Sequence, residues 1–241
     1  MPIDIKRFAI QRETPTMILK SIYLELGDPG LSAEYVYGFR KSNRFICNYL
    51  ERECFKRLKY KTSGFARVVV SLTARPKAVY VNSCQVACVG IADRRDEYDH
   101  KTGEALTLYC IERLKEGLAE LAVVQSIPDR ELRSCLDSFV SGRFVNEWVH
   151  KKRKFVAQSI EATLFCSMNQ DAFTLRLKVT FKRKVLFDEI ILVTDPGELA
   201  FKYRFNEIEL SGDMLAVVDK WSKPLKSICL SELLKAQAAG E

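Results

Sequence analysis

The 241-residue chain lacks the short signatures that mark many nucleotide-binding and acyl-transfer enzymes. It holds no G-x-G-x-x-G run and no G-x-x-x-x-G-K-[ST] run, so neither of those phosphate cradles is present. A glycine-flanked serine elbow is also missing. Histidine is scarce, with only His100 and His150, which leaves few general bases near neutral pH. No stretch approaches the roughly 20 apolar residues of a membrane span, so no membrane contact is expected. The opening MPIDIKRFAIQRETP is charged throughout and has no long apolar run, unlike a secretory signal. The expected location is cytoplasmic. There is no repeat of fixed period and no low-complexity tract.

What is present is an ordinary globular balance, 47% apolar and 29% charged, long enough for one large domain or two small lobes. The net charge of +7 permits an acidic partner, a nucleic acid or an anionic surface without requiring any of them. The eight cysteines are Cys47, Cys54, Cys84, Cys88, Cys110, Cys135, Cys166 and Cys229. Most fall within apolar patterns of a chain too long to need staples, so buried reduced thiols are expected rather than a disulfide framework.

The clearest local pattern is FTLRLKVTF, residues 173 to 181, where every odd position is apolar and every even one polar. Strict alternation predicts a half-buried strand. It sits in a ladder from Ser159 to Asp219: strands at 160–166, 173–181, 185–193, 199–205, 207–210 and 214–218, with short turns that force antiparallel neighbours. Ahead of it, 17–26 reads as a strand broken by Gly27-Asp28-Pro29-Gly30. Ser32 caps a helix running to about Lys59. Residues 65–73 form a strand, and 78–91 a long strand or a pair bent at Asn82-Ser83. A charged loop at 93–103 leads to a helix at 104–124. A third helix begins near Pro128 and carries its apolar side through Trp148 and Val149 to the cations of residues 150–154. Strands grouped at both ends with about three helices between them predict an α+β fold: antiparallel sheets and a C-terminal meander. The chain reads as a single domain, 1–241. A division into two lobes, 1–155 and 156–241, is the alternative.

Candidate chemistry is thin. Nothing near the cysteines in sequence lowers a thiol pKa, which argues against a Cys-His nucleophilic pair. Cys84 and Cys88 have poor spacing for a tetrahedral metal and no second pair follows. The loop carboxylates Asp93, Asp96, Glu97 and Asp99, with His100, are interrupted by cations and lack the calcium-loop pattern. No catalytic, cofactor-binding or metal-binding residue is assigned, and the chain is not expected to be an enzyme.

Charge geometry is the remaining signal. On the first helix Lys41, Arg44, Arg52, Lys56 and Lys59 recur at spacings that align them on one face. Arg176 and Lys178 point outward from the 173–181 strand. Lys202 and Arg204 point outward from the strand expected at 199–205. In one sheet these four would form a cationic platform able to meet phosphates or carboxylates. Phe173, Phe181, Phe201 and Phe205 point to the core by parity, so the platform lacks the stacking surface of a single-strand binder. The tentative partner-binding set is therefore Lys41, Arg44, Arg52, Lys56, Arg176, Lys178, Lys202 and Arg204.

The export-free start MPIDIKRFAI, the strand–helix opening MILKSIYLEL…SAEYVYGFRKSNRF and the terminal meander together resemble the immunity proteins that bacteria encode beside polymorphic toxins. The resemblance implies a cytoplasmic inhibitor that binds a cognate toxin domain and occludes its active site, without a cofactor. Many nuclease-blocking proteins of this kind are acidic; the basic charge here suits an acidic toxin domain. The alternative is a nucleic-acid-binding protein using the basic helix and sheet face.

Overall fold

The computed structural model describes residues 15–239. The opening MPIDIKRFAI lies outside the described residues. Two short strands come first, β1 (Thr16–Ile18) and β2 (Ser21–Leu26), where the sequence pattern suggests one; Leu19 is buried at the break while Ile18 is exposed. Next come α1 (Ala33–Leu50), a π-helical turn (Glu51–Phe55) and α2 (Lys56–Leu58), making one continuous rod. The Ser32 hydroxyl accepts the Tyr35 N–H and starts the rod; Lys59, left-handed at φ 45°, ends it.

The strands β3 (Lys61–Ser63), β4 (Arg67–Thr73), β5 (Tyr80–Val81) and β6 (Val86–Ala92) follow. β1 and β3 make a small antiparallel pair. β2, β4 and β6 run parallel to one another, with β5 added antiparallel at the edge in the order β2-β4-β6-β5. The bend expected at Asn82-Ser83 is a hairpin, held by Asn82 Oδ1 accepting the N–H groups of Cys84 and Val86. The parallel pairs follow from topology: the whole of α1 lies between β2 and β4, and such a crossover returns the chain in the same direction. Ile22, Leu24, Val68, Val70, Leu72, Ala87, Val89 and Ile91 alternate onto one buried face. That face is covered by α1 and by α4 (Gly103–Val124).

The charged loop before α4 contains one short helix, α3 (Arg95–Tyr98), and several of its charges are used internally. Arg95 pairs with Asp28 and Asp93, and the Tyr35 hydroxyl donates to Asp99. α5 (Asp129–Ser141) is the third long helix. It stops at Gly142, after which Arg143 and Phe144 both take positive φ, 54° and 61°. The helical run expected through Trp148 and the basic tail is therefore corrected. Residues Glu147–Phe155 form strand β7.

β7, β8 (Ile160–Met168), β9 (Phe173–Phe181) and β10 (Lys184–Thr194) make an antiparallel sheet in the order β10-β9-β8-β7. β7 ends at Phe155 and pairs with β8, so the strands before and after the position where the sequence suggests a lobe boundary form one hairpin. The ladder then breaks. Residues 199–205 are not a strand: Glu198–Phe201 form a helical turn, α6, followed by further turns. Phe201 and Phe205 stack on Phe173 at 3.7 and 5.7 Å between ring centroids. A three-stranded meander, β11 (Glu207–Ser211), β12 (Met214–Val218) and β13 (Pro224–Cys229), forms its own sheet. Helix α7 (Leu230–Ala239) follows. The fold is α+β, and one contiguous apolar cluster joins both halves.

Candidate functional site

Where the helical rod meets the sheet of β7–β10, a cleft of about 700 Å3 opens between α1, the π turn and the segment 197–205. Its lining carries Lys20, Arg40, Lys41, Arg44, Arg52, Lys56 and Lys202 against the carboxylates Glu51 and Glu198. Tyr23, Tyr37, Trp148, Phe201 and Phe205 supply aromatic surface, and no cysteine lines it. Five of the eight sequence-predicted residues, Lys41, Arg44, Arg52, Lys56 and Lys202, converge here.

The helical spacing that aligns the cations is real, but most of them face the protein's own second half. Arg44 is buried, 6% exposed at its side chain. Its Nε donates to Glu198 Oε2 at 2.6 Å, its Nη2 to Glu198 Oε1 and to Glu51 Oε2, and its Nη1 to the Ile22 carbonyl. Glu51 Oε1 in turn accepts the Ile22 N–H at 3.0 Å. Burial raises the Glu51 pKa despite the Arg44 charge beside it. From Glu198 the network continues through the Asn48 amide to Asn146, which also bonds the Phe45 carbonyl. Asn146 Oδ1 accepts from Arg52 Nη2 at 2.7 Å. The Arg52 guanidinium lies over Trp148, 4.3 Å from the ring centroid. Its Nε is buried with no hydrogen-bond partner. Lys41 pairs with Asp195, and Arg40 with Glu25. Arg44 and Arg52 thus form a buried seam between the two halves rather than an open cationic stripe.

Three cations of the lining remain uncommitted. Lys20, Lys56 and Lys202 make no ion pair among the described residues. They sit just before β2, just after the π turn and just after α6. His150 stands at the same cleft with its ring edge-on to Phe205. Lost hydration, then the charge of Lys151, lowers its pKa, so the imidazole is neutral near pH 7.

The four-cation platform does not exist as expected. Arg176 forms a two-pronged pair with Asp188 of β10, and Lys178 lies opposite Asp188 in the strand register. Lys202 and Arg204 are on the turn after α6, not on a strand beside them. Freed from strand parity, Tyr203 is exposed, and Lys202 and Lys220 lie over its ring at 5.6 and 4.8 Å. Lys220 also lies 4.2 Å from the Trp221 ring, and Trp221 is 67% exposed. The turn that presents Trp221 is fixed by Asp219 Oδ1, which accepts the N–H groups of Trp221 and Lys223. With Leu199, 87% exposed on α6, these residues form a lysine-flanked aromatic knob; Leu199 and Lys202 also line the cleft.

The cysteines are free thiols. Burial pushes Cys47 and Cys166 up to about 12, the direction expected of thiols in apolar surroundings. Cys54 departs from that expectation: a hydrogen bond with Cys135 lowers its pKa, although Cys54 itself is fully buried. Cys84 lies exposed in the hairpin turn and Cys88 half-buried on β6, so the two do not form a matched pair. Among the described residues no group of three or more His, Cys, Asp or Glu side chains is placed to hold a metal ion. Nor is any helix among them long and apolar enough to cross a membrane.

Sequence reasoning missed Glu51, Asn146, Trp148 and Glu198. Glu51 was within reach, seven residues after Arg44 on the same helical face. Trp148 and Asn146 were hidden by reading β7 as helix. Glu198 is 154 residues from its partner, a separation for which no local pattern exists.

Comparison with protein-family models, with curated proteins and with solved structures yields no match. Geometry defines the class reached here: an α+β protein with a basic, aromatic-walled cleft and an exposed aromatic knob at its lip.

Proposed function

We propose that this chain is an immunity-type inhibitor, which binds an acidic toxin domain in the cytoplasm of a bacterial cell and covers its active site. The observation that carries the reading is the knob of Tyr203, Trp221 and Leu199 flanked by Lys202 and Lys220. Exposed tryptophan and tyrosine are the side chains that most often anchor protein interfaces, and lysines around them speed encounter with an acidic partner. The Asp219 turn fixes the backbone at Trp221 before binding, which reduces the ordering cost of association. Basic net charge agrees with an acidic partner.

The test is co-expression with a toxin domain encoded beside this gene. The expected result is one-to-one co-elution. Trp221→Ala should weaken the complex by about 2 kcal/mol or more, roughly thirtyfold in Kd. Lys202→Glu with Lys220→Glu should act mainly on the association rate and flatten its salt dependence. A complex with unchanged affinity in the Trp221 variant removes the knob from the interface.

A second reading has its own support, because lysines interleaved with exposed rings also suit single-stranded nucleic acid, where bases stack on aromatic side chains. It requires a mobility shift with DNA or RNA that weakens steeply with salt. Absence of any shift at low salt disposes of it.

A further inference from the structure

The cleft shares Lys202 with the knob, but its other features, Lys20, Lys56, Arg52 and the Trp148 wall, are not part of the knob. Lys20, Lys56 and Lys202 ring it from three separate elements without an ion-pair partner among the described residues. The Arg52 Nε–H beneath them is buried without an acceptor. Arg95 and Arg113 have such donors elsewhere; this one lies on a residue that lines the cleft, and buried donors ordinarily meet a water, an ion or a ligand. Trp148, Phe201 and Phe205 give the same cleft an apolar wall. The rod widens into a π turn at Glu51–Phe55, where Arg52 departs toward the cleft, and π turns inside helices recur at binding sites. The volume of about 700 Å3 lies within the range of small-molecule sites and exceeds what an inorganic ion needs.

We infer that this cleft binds a phosphorylated small molecule bearing a flat ring, of the nucleoside diphosphate class, with phosphate held by Lys20, Lys56 and Lys202 and the ring against the Trp148–Phe205 wall. Lysine meets phosphate as a compact point charge and needs no fixed fork geometry, which suits three side chains arriving from separate elements. Glu51 and Glu198 would repel phosphate in an open setting. Here Arg44 bonds both and offsets one of the two charges, and Arg52 with Lys20, Lys56 and Lys202 outweighs the other.

The inference goes beyond the inhibitor reading and is tested on the isolated protein, with no partner present. Calorimetric titration uses ADP, adenosine and pyrophosphate at low salt. ADP is expected to bind one to one with an affinity that falls as salt rises, adenosine at least about tenfold more weakly, and pyrophosphate more weakly than ADP. Lys20→Ala, Lys56→Ala and Lys202→Ala should each weaken ADP about two- to fivefold, and the triple variant more than about tenfold. Lys61→Ala, at an exposed position of β3 outside the cleft lining, should leave binding unchanged. Melting curves of the variants separate lost binding from lost folding. No saturable heat with ADP up to about 5 mM overturns the site. So does a triple variant that is folded and binds like the parent. Pyrophosphate binding as tightly as ADP overturns the ring-binding half of the assignment.

Discussion

Gly117 shows how closely single residues are constrained in this molecule. A Cβ built there would lie 2.5 Å from Val70 Cγ1 and 2.7 Å from Cγ2, inside any permitted contact. Helix α4 can therefore sit against β4 only because position 117 has no side chain. Gly117→Ala should destabilise the protein by about 1–3 kcal/mol in urea unfolding, the usual penalty for overpacking. Adding Val70→Ala should recover part of the loss, and strictly additive costs in the double variant would remove the steric explanation. Arg44 is the polar counterpart. Removing it strands Glu51 and Glu198 at a buried seam, so Arg44→Met should cost about 3–5 kcal/mol. Neutralising both carboxylates in the same background should restore much of that. If it does not, the guanidinium matters through packing over Tyr23 instead.

At the level of elements, β7 and α6 explain where sequence reasoning succeeded and where it could not. Strand β9 was legible to the residue, because strict alternation has no helical solution. In α6 and the turns after it, apolar residues at 199, 201, 203 and 205 suit a strand. Yet Phe201 with Phe205, and Leu199 with Tyr203, are also four apart, a helical spacing, and in the folded chain both phenylalanines stack on Phe173. In β7 the overlooked signal was Gly142, which ends α5. The basic run that resembled a helix tail instead pairs across strands: Lys152 and Lys154 meet Glu161, while Lys151 and Arg153 meet Glu207 of β11. Those contacts make a pH prediction. Arg153 first, then Lys151, hold Glu207 down at about 2, below its ordinary 4.5. A depressed carboxylate stabilises the fold fully above the unfolded value and loses that contribution as pH falls from about 4.5 toward 2. Glu207→Gln should therefore be less stable than the parent at pH 7, and the gap should close on acidification. A gap that stays constant from pH 7 to pH 3 would show that this link between β7 and β11 contributes nothing.

For the whole molecule, fold class and the alignment of the helix cations were readable, while their destination was not. Periodicity says which side chains share a face; it does not say whether that face meets water or the rest of the same chain. Lys41, Arg44 and Arg52 were read as outward charge and prove to be the seam between the two halves. The residues that complete the seam, Asn146, Asp195 and Glu198, come from 94 to 154 positions further along. That distance bears on biosynthesis. A nascent chain that has emerged only as far as β9 already possesses the rod and its arginines, but the acids and the phenylalanine pair that close the hollow are still inside the ribosome. Until they arrive, Arg44 has no Glu198 and the recess lacks the side formed by residues 197–205. The recess is thus incomplete before translation has passed Phe205, which places its closure in the last third of the chain's own synthesis.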